Sequence, residues 1–152
     1  MGKEGLMRIF ISFLMFFSSV FAIYPAADSN QTMHKIKFEE KKDEEKYLVK
    51  VKFGKNIEVD CNRHFFTNLS LEKKVLEGYG YEYYVLSGDS SKIASTMMFC
   101  GDEKKTLKFL EYDPNLILPY NSSLEQVFYT PKDINVKYEI YRLVKSCTVE
   151  DE

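Results

Sequence analysis

Alternation of apolar and polar side chains with a period of two is the feature of this chain that most constrains its fold. Over residues 47–53, the odd positions hold Tyr, Val, Val and Phe, whereas the even positions hold Leu, Lys and Lys. Successive side chains of a strand point to opposite faces, so this pattern predicts a strand with one buried face. Turn residues follow in Gly54-Lys55-Asn56, and alternation resumes over 57–61, which predicts a hairpin.

Alternation recurs along much of the chain, and no segment sustains the period of an amphipathic helix. Short strands separated by clusters of Gly, Pro, Asn, Asp and Ser predict an all-β, single-domain antiparallel sandwich or barrel. A chain of 152 residues suits one such domain. The final strand pairs either within its own sheet or with a second copy of the chain. The additional predicted strands are residues 81–86, 106–112, 126–130 and 135–144.

The N-terminal segment has the pattern of a secretory signal peptide. An apolar run at residues 9–20 follows two basic residues, and small or compact residues end it at Val20-Phe21-Ala22. The run is shorter than the roughly 20 apolar residues that a membrane-spanning helix needs, so we expect no membrane association after cleavage. The predicted units are a signal peptide at 1–22 and an exported domain at 23–152, with a flexible tail at 145–152.

Export changes the interpretation of the three cysteines, because an oxidising compartment favours disulfides. Cys61 and Cys100 lie in strongly patterned sequence, whereas Cys147 lies in a polar tail. We therefore predict a Cys61–Cys100 disulfide. Cys147 is then a free thiol or pairs between chains.

The charge balance argues against nucleic acid as a partner. The formal net charge is −2, and no basic cluster is interleaved with aromatic residues. Lys and Glu are concentrated in residues 35–46, where both signs are mixed. Such a mixture is typical of a solvated face, so this stretch is predicted to lie at the surface.

The sequence offers little support for catalysis or for a metal site. A hydrolase that uses histidine as its base would have to use His34 or His64, the two histidines of the chain. Ser90 follows Gly88-Asp89, but this short match lacks the flanking glycines of a nucleophile elbow. The candidate zinc ligands are Cys61, His64 and Cys100. The sequence lacks the repeated, closely spaced ligand pairs that are typical of a structural zinc site. We predict no catalytic residue, no metal and no cofactor.

A tyrosine-rich segment at residues 78–84 permits two interpretations. Tyrosine supplies a large amphipathic contact area at low entropic cost, so Tyr79 and its neighbours could form a binding surface. Alternating tyrosines are also common in the interior of a sheet, and we expect Tyr81 and Tyr83 to face inward. An exported binding module that recognises a glycan or a surface protein through this face is the alternative function.

Residues 95–100 form an uncharged run with two adjacent methionines, Ser95-Thr96-Met97-Met98-Phe99-Cys100. Two Met and a Phe beside a structural cysteine are most often filling for a core. A flexible thioether can also enter binding pockets of several shapes, and a disulfide at its edge would hold the segment extended. From spacing alone both interpretations stay open.

Several motifs in order give the chain a close resemblance to the ecotin family of serine protease inhibitors. The resemblance covers residues 24–144, from Tyr24-Pro25 onward. The motifs that carry it are Val59-Asp60-Cys61-Asn62-Arg63-His64, residues 76–85, Ser95-Thr96-Met97-Met98-Phe99-Cys100, Tyr120-Asn121-Ser122, Tyr129-Thr130-Pro131 and Val136-Lys137-Tyr138.

The resemblance implies a periplasmic, β-rich homodimer that inhibits proteases with trypsin, chymotrypsin and elastase specificities. It implies that Met97 is the bait residue in the primary pocket of the protease and that Met98 follows the scissile bond. Ser95 and Thr96 then lie on the acyl side, and Phe99 lies on the leaving side. Cys100, bridged to Cys61, would anchor the leaving side.

The resemblance also implies a secondary protease-binding site and a dimer in which the C-terminal strand, residues 135–144, is exchanged. Two segments match the family's secondary site, one in the tyrosine-rich turn and one in a later loop. Their residues are Tyr79, Gly80, Tyr81, Glu82, Tyr120, Asn121 and Ser122.

Overall fold

The prediction of an all-β domain is confirmed by a computed structural model, which describes residues 23–101 and 104–148. These residues form nine strands, and their only helical element is a 3-10 turn at Glu44–Lys46. The predicted signal peptide, residues 1–22, lies outside the described residues. The strands are β1 (Gln31–Ile36), β2 (Tyr47–Val59), β3 (His64–Phe66), β4 (Leu69–Val75), β5 (Glu82–Gly88), β6 (Ile93–Ser95), β7 (Thr106–Pro119), β8 (Gln126–Pro131) and β9 (Asn135–Arg142).

The strands form two larger sheets and a short ribbon. One sheet has the order β1-β8-β5-β4, the second has the order β7-β2-β9, and the ribbon consists of β3 and β6. The pairs are antiparallel except β5 with β8, which run parallel where Tyr84 lies opposite Phe128. The predicted antiparallel architecture therefore contains one parallel pair.

The core lies between the two larger sheets. Val49, Val51 and Phe53 of β2 are buried together, as the alternation of residues 47–53 predicts. The ring of Phe53 meets that of Phe128 on β8 edge to face, with centroids 5.9 Å apart. Removing such a side chain from water stabilises a fold by roughly 1.5–3 kcal/mol, so this cluster holds the sheets together.

The predicted hairpin at Gly54-Lys55-Asn56 is wrong, because β2 runs without a turn from Tyr47 to Val59. Gly54 is required there for another reason. A Cβ atom at this position would lie 2.1 Å from the backbone oxygen of Leu110 on β7. The glycine therefore allows the close approach of two backbones instead of a change of direction.

The orientation predicted for the tyrosine-rich strand is also wrong. Tyr84 and Leu86 of β5 are buried, whereas Tyr81 is exposed just before the strand. Tyr83 is half-buried and contacts the ring of Tyr129 edge to face. Large apolar residues occupy both faces of this strand, so alternation alone does not identify the inner face.

Other parts of the chain add to or qualify the sequence predictions. Four strands were not predicted, namely β1, β3, β4 and β6. The charged stretch at 35–46 includes Phe38, which is buried against Tyr120. β9 pairs with β2 of the same chain. Among the residues that the structure describes, no helix is long and apolar enough to span a membrane.

Candidate functional site

The segment after β6 leaves the body of the protein as an exposed loop that grows out of the β3–β6 ribbon. Ser95 ends β6 and pairs with His64 of β3. Beyond it, the amide of Thr96 donates to the carbonyl of Arg63 at 3.0 Å, and the amide of Arg63 donates to Oγ1 of Thr96 at 3.0 Å. The ribbon therefore fixes the direction in which the loop starts.

The three large apolar side chains of this loop point into solvent. Met97 is 98% exposed, Met98 60% and Phe99 96%. The interpretation of this run as core filling is therefore wrong. Three adjacent exposed apolar side chains are unusual for a monomer surface and are typical of a contact surface for another molecule.

The side chain of Asn62 supports the loop on both sides of Met97. Its Oδ1 accepts a hydrogen bond from the amide of Met98 at 2.6 Å and another from Oγ1 of Thr96 at 3.0 Å. Its Nδ2 donates to the carbonyl of Met98 at 3.2 Å. One amide group thus holds the residues that precede and follow Met97, while Met97 itself projects freely.

Asn62 is in turn held by its neighbours. Asp60 accepts hydrogen bonds from the amide of Asn62 at 2.8 Å and from its Nδ2 at 3.2 Å. These two bonds, the backbone one first, hold the pKa of the Asp60 carboxyl below its ordinary value. Nδ1 of His64 lies 3.0 Å from the carbonyl oxygen of Asn62, so this ring nitrogen carries a hydrogen and donates there. Asp60 and His64 therefore hold Asn62 in place, and Asn62 in turn orders the loop.

The predicted Cys61–Cys100 disulfide is present and closes the base of the loop. It joins residues 39 apart in sequence, with the Cα atoms 5.6 Å from one another. Closing a loop of this length stabilises the fold by about 4 kcal/mol in the chain-entropy model. Both sulfurs are used in this bond, so the considered zinc site with His64 is not available. Cys147 is an exposed free thiol.

Ser90 and His64 are not arranged as a catalytic pair. The hydroxyl of Ser90 donates to the carboxylate of Asp133 at 2.8 Å, and Lys55 Nζ lies 2.7 Å from the same carboxylate. His64 instead faces Asn62 and Asp60. Within 23–101 and 104–148, no group of three His, Cys, Asp or Glu side chains is placed to bind a metal ion.

The tyrosine-rich turn between β4 and β5 presents two aromatic side chains to solvent. The amide of Gly80 donates to the carbonyl of Leu76 at 3.0 Å, and Gly78 and Gly80 both have positive φ angles. Glycine adopts this left-handed conformation at little cost, which allows the tight turn. Tyr79 at the tip is 65% exposed and Tyr81 is exposed beside it.

A groove of 280 Å³ brings together the two segments that the sequence resemblance predicts to form a secondary protease-binding site. Gly80, Tyr81 and Glu82 line one part of it, and Asn121 lines another. Tyr120 is different, because only 5% of it is exposed and its hydroxyl donates to the carbonyl of Glu39. Tyr120 therefore holds its loop against the body of the protein and offers almost no surface to another molecule.

A carboxylate orders the remainder of that loop. The amide of Ser122 donates to Oε2 of Glu44 at 3.1 Å. This contact, through the hydroxyl and amide of Ser122, lowers the pKa of Glu44. Asn121 and Ser122 are half-buried, so they offer only part of their surface to another molecule.

Sequence reasoning identified the exposed loop but assigned no role to Asn62, Asp60 or His64. Asn62 and Met98 are 36 positions apart, and only the fold brings them together. The available signal is the position of Asn62 directly after Cys61. A residue next to a disulfide is held close to the partner cysteine and to the loop that ends there.

Comparison with known proteins agrees with this arrangement. The family model described as Ecotin matches residues 20–143. Ecotin of Serratia proteamaculans (strain 568) is 40% identical over 123 residues, which span 80% of this chain and 71% of that protein. Ecotin of Yersinia enterocolitica serotype O:8 / biotype 1B (strain NCTC 13174 / 8081) is 37% identical over 126 residues, or 82% of this chain and 74% of that protein. The chain therefore belongs to the ecotin family of serine protease inhibitors.

Proposed function

We propose that this protein is a broad-specificity inhibitor of chymotrypsin-like serine proteases, and that it acts as a substrate mimic through the loop around Met97. One observation carries the proposal: Met97 is 98% exposed, while the residues on both sides of it are hydrogen-bonded to Asn62. A protease subsite needs a projecting side chain on an extended and fixed backbone, and this loop offers both.

Each residue of the loop has a place in the proposed complex. Met97 enters the primary pocket, and the bond from Met97 to Met98 lies at the catalytic serine of the protease. Thr96 and Ser95 occupy the acyl side and Phe99 the leaving side. The exposed apolar surface of Met98 and Phe99 is then covered by the protease.

Inhibition by a substrate-like loop requires that the complex dissociates slowly. The loop is ordered before binding, so little conformational entropy is lost when the protease closes on it. If the bond after Met97 is cut, Asn62 still holds Thr96 on one side and Met98 on the other. The new amine therefore stays beside the acyl group, and the bond can re-form.

A methionine in the bait position suits several pockets. Its unbranched thioether adapts to the apolar slot of a chymotrypsin-like enzyme and to the smaller pocket of an elastase-like enzyme. It can also enter a trypsin-like pocket, because an uncharged thioether adds no second negative charge beside the buried acid of that pocket. We therefore propose trypsin-, chymotrypsin- and elastase-like proteases as partners.

The groove beside Tyr79 is the proposed secondary site, and a homodimer that exchanges its C-terminal strand, residues 135–144, is the proposed assembly. In such a dimer one protease contacts the loop of one subunit and the secondary site of the other. Two linked contacts raise the apparent affinity without a change in either contact. We further propose that the signal peptide at 1–22 directs the mature domain to the periplasm.

The proposal is tested by titrating residues 23–152 into trypsin, chymotrypsin and elastase while the hydrolysis of small substrates is followed. We expect stoichiometric loss of activity for at least two of them. Met97→Asp should abolish inhibition, because the primary pocket would have to desolvate a carboxylate. Met97→Leu, which keeps the apolar volume, should still inhibit stoichiometrically.

The exposure of Met97 makes the two variants a fair comparison, because neither substitution disturbs the core. Equal inhibition by Met97→Asp and the parent protein would refute the assignment of the bait residue. No inhibition by the parent at micromolar concentration would favour the alternative module, in which the Tyr79 face binds a glycan or a surface protein.

A further inference from the structure

The methionines of the exported domain differ in how far their side chains are exposed to solvent. The domain contains three, Met33, Met97 and Met98. Met33 lies half-buried on β1, paired with Tyr129 of β8. Met97 and Met98 lie on the exposed loop, and Met97 is 98% exposed. Reagents dissolved in water therefore reach the sulfur of Met97 without any movement of the protein.

We propose that Met97 is a site of reversible oxidation, and that its conversion to the sulfoxide switches the inhibitor off. This inference rests on the function proposed above, because it requires that Met97 enters the protease pocket. The oxidant is a peroxide or a hypohalous acid, and hydrogen peroxide serves as the example.

The reaction needs nothing from the protein except an accessible thioether. A lone pair of the Met97 sulfur attacks one oxygen of hydrogen peroxide, an S–O bond forms and the O–O bond breaks. The transferred oxygen gives up its proton, and the departing hydroxide becomes water. The sulfur loses two electrons and the peroxide gains them, so one sulfoxide and one water are formed. Methionine sulfoxide reductases reverse the change with two electrons and two protons from a dithiol, which becomes a disulfide while the sulfoxide oxygen leaves as water.

The sulfoxide is a poor bait for physical reasons. It is polar where the thioether is apolar, and its oxygen must leave water when the side chain enters the primary pocket. Without a hydrogen-bond donor in the pocket, that desolvation weakens binding on the order of 10- to 100-fold. The loss should be greater for a trypsin-like pocket, because the negative end of the S–O dipole would approach the buried acid.

The backbone of the loop has no reason to change on oxidation. Thr96 and Met98 are held by Asn62 and Arg63 through groups that contain no sulfur. The Met97 side chain is almost fully solvated, so an added oxygen meets no neighbour. Oxidation should therefore reduce protease affinity while leaving the thermal stability of the free inhibitor unchanged.

The test treats residues 23–152 with a graded series of hydrogen peroxide and follows two readouts. Peptide mass spectrometry measures the gain of one oxygen at each methionine, and protease titration measures the inhibition constant. We expect Met97 to be oxidised before Met33, and the inhibition constants for trypsin and chymotrypsin to rise with the fraction of Met97 oxidised. Treatment with methionine sulfoxide reductases should restore them.

Three variants separate the contribution of each methionine, and each protein is compared with itself before and after treatment. The double variant Met97→Leu/Met98→Leu, which lacks both exposed thioethers of the loop, should keep its own inhibition constant after oxidation. Met98→Leu and Met33→Leu should still lose affinity, because both retain Met97. Cys147→Ser controls for oxidation of the exposed thiol and should respond as the parent does.

The outcomes distinguish the two proposals. Complete oxidation of Met97 without a change in inhibition would overturn the switch and leave the proposed function standing. Slower oxidation of Met97 than of Met33 would also overturn it. An untreated protein that fails to inhibit would overturn the proposed function and the switch with it, and the mass spectra would still report whether the sulfur is accessible.

Discussion

At the scale of single residues, the amide of Asn62 connects the two sides of the exposed loop. Its oxygen and nitrogen together make three hydrogen bonds to Thr96 and Met98. Each such bond contributes roughly 0.5–1.5 kcal/mol in a folded protein. Here the bonds restrict the loop before binding, so they are expected to appear in the affinity for a protease more than in the stability of the fold.

Asn62→Ala is therefore expected to raise the inhibition constant for trypsin on the order of 10- to 100-fold, because the loop must be ordered during binding. The inhibition constant and the thermal unfolding midpoint are measured together. Asn56→Ala, a change of the same kind at an exposed position of β2, should leave the contacts of Thr96 and Met98 intact. Unchanged inhibition by Asn62→Ala would show that the disulfide and the contacts with Arg63 order the loop without Asn62.

His34 provides a second test at this scale. Its Nε2 lies 2.9 Å from Oγ1 of Thr130, and that hydroxyl donates to the carbonyl of Ile134 at 2.8 Å. The histidine is therefore the donor in the first contact. Burial holds the pKa of His34 below its ordinary value of 6.5, because the charged form loses solvation.

The unfolded chain regains the ordinary pKa of His34 and so binds a proton first as the pH falls. The stabilisation by neutral His34 is complete above pH 6.5 and is lost as the pH falls through 6.5 towards the folded pKa. Thermal unfolding from about pH 8 to about pH 5 should show a steeper decline for the parent than for His34→Gln. Parallel curves would contradict this assignment.

The sequence predicts the role of some residues and not of others, and the reasons are physical. The Cys61–Cys100 pairing was predictable because both cysteines lie in patterned sequence and Cys147 does not. Asn62 was not, because an asparagine has no recognisable pattern until the fold places it beside residue 98. Burial of Tyr120 was also missed, since its ring packs on Phe38 within a stretch that is otherwise charged.

At the scale of elements, β2 is the central strand of its sheet and illustrates how turn residues mislead. Gly54, Lys55 and Asn56 have the composition of a turn, but all three are paired with β7. The register between β2 and β7 shifts between Val51 and Phe53, just before the glycine. A register shift of this kind changes the local twist of a strand, and the glycine beside it allows the backbones of β2 and β7 to approach closely.

Gly54→Ala should destabilise the protein strongly. The new Cβ would lie 2.1 Å from the oxygen of Leu110, so the backbones must separate. We expect a loss of about 1–3 kcal/mol in the free energy of unfolding, measured by urea denaturation. Gly78→Ala meets no atom within 4 Å and carries only the strain of its positive φ, so its loss should be smaller. Equal losses would argue against the clash.

The strands were predicted where one face of the segment is clearly polar. Residues 47–53, 126–130 and 135–144 satisfy this condition or lie in a continuous apolar run. They correspond to β2, β8 and β9, although β9 ends at Arg142, two residues before the predicted end. β4 was missed because Glu72-Lys73-Lys74 interrupts its alternation. An edge strand can carry such charges because one side of it is open to water.

At the scale of the whole molecule, β9 leaves an apolar edge incompletely covered. Tyr138 and Ile140 lie opposite Val51 and Val49, so they share the face of β2 that forms the core. Both are nevertheless exposed, unlike the two valines. In the proposed homodimer, a second copy of the chain covers this edge.

Family membership independently confirms the expectation of an inhibitor instead of an enzyme.

Ile140→Asp should dissociate the proposed dimer, because a carboxylate would be buried at the contact between copies. Analytical ultracentrifugation of residues 23–152 measures the change in mass. Leu107→Asp introduces the same charge at an exposed position of β7, on the opposite edge of the sheet, and should leave the dimer intact. A parent protein that sediments as a monomer would refute the assembly.

The near-complete exposure of Met97 has a consequence for how the molecule can diversify. The hydrogen bonds and the disulfide that shape the loop involve its neighbours, and the side chain at 97 takes part in none of them. Folding therefore places almost no restriction on the residue at this position. A library that varies position 97 alone should return a set of equally stable scaffolds that differ only in which enzyme they select, so target choice can drift without any penalty to the architecture.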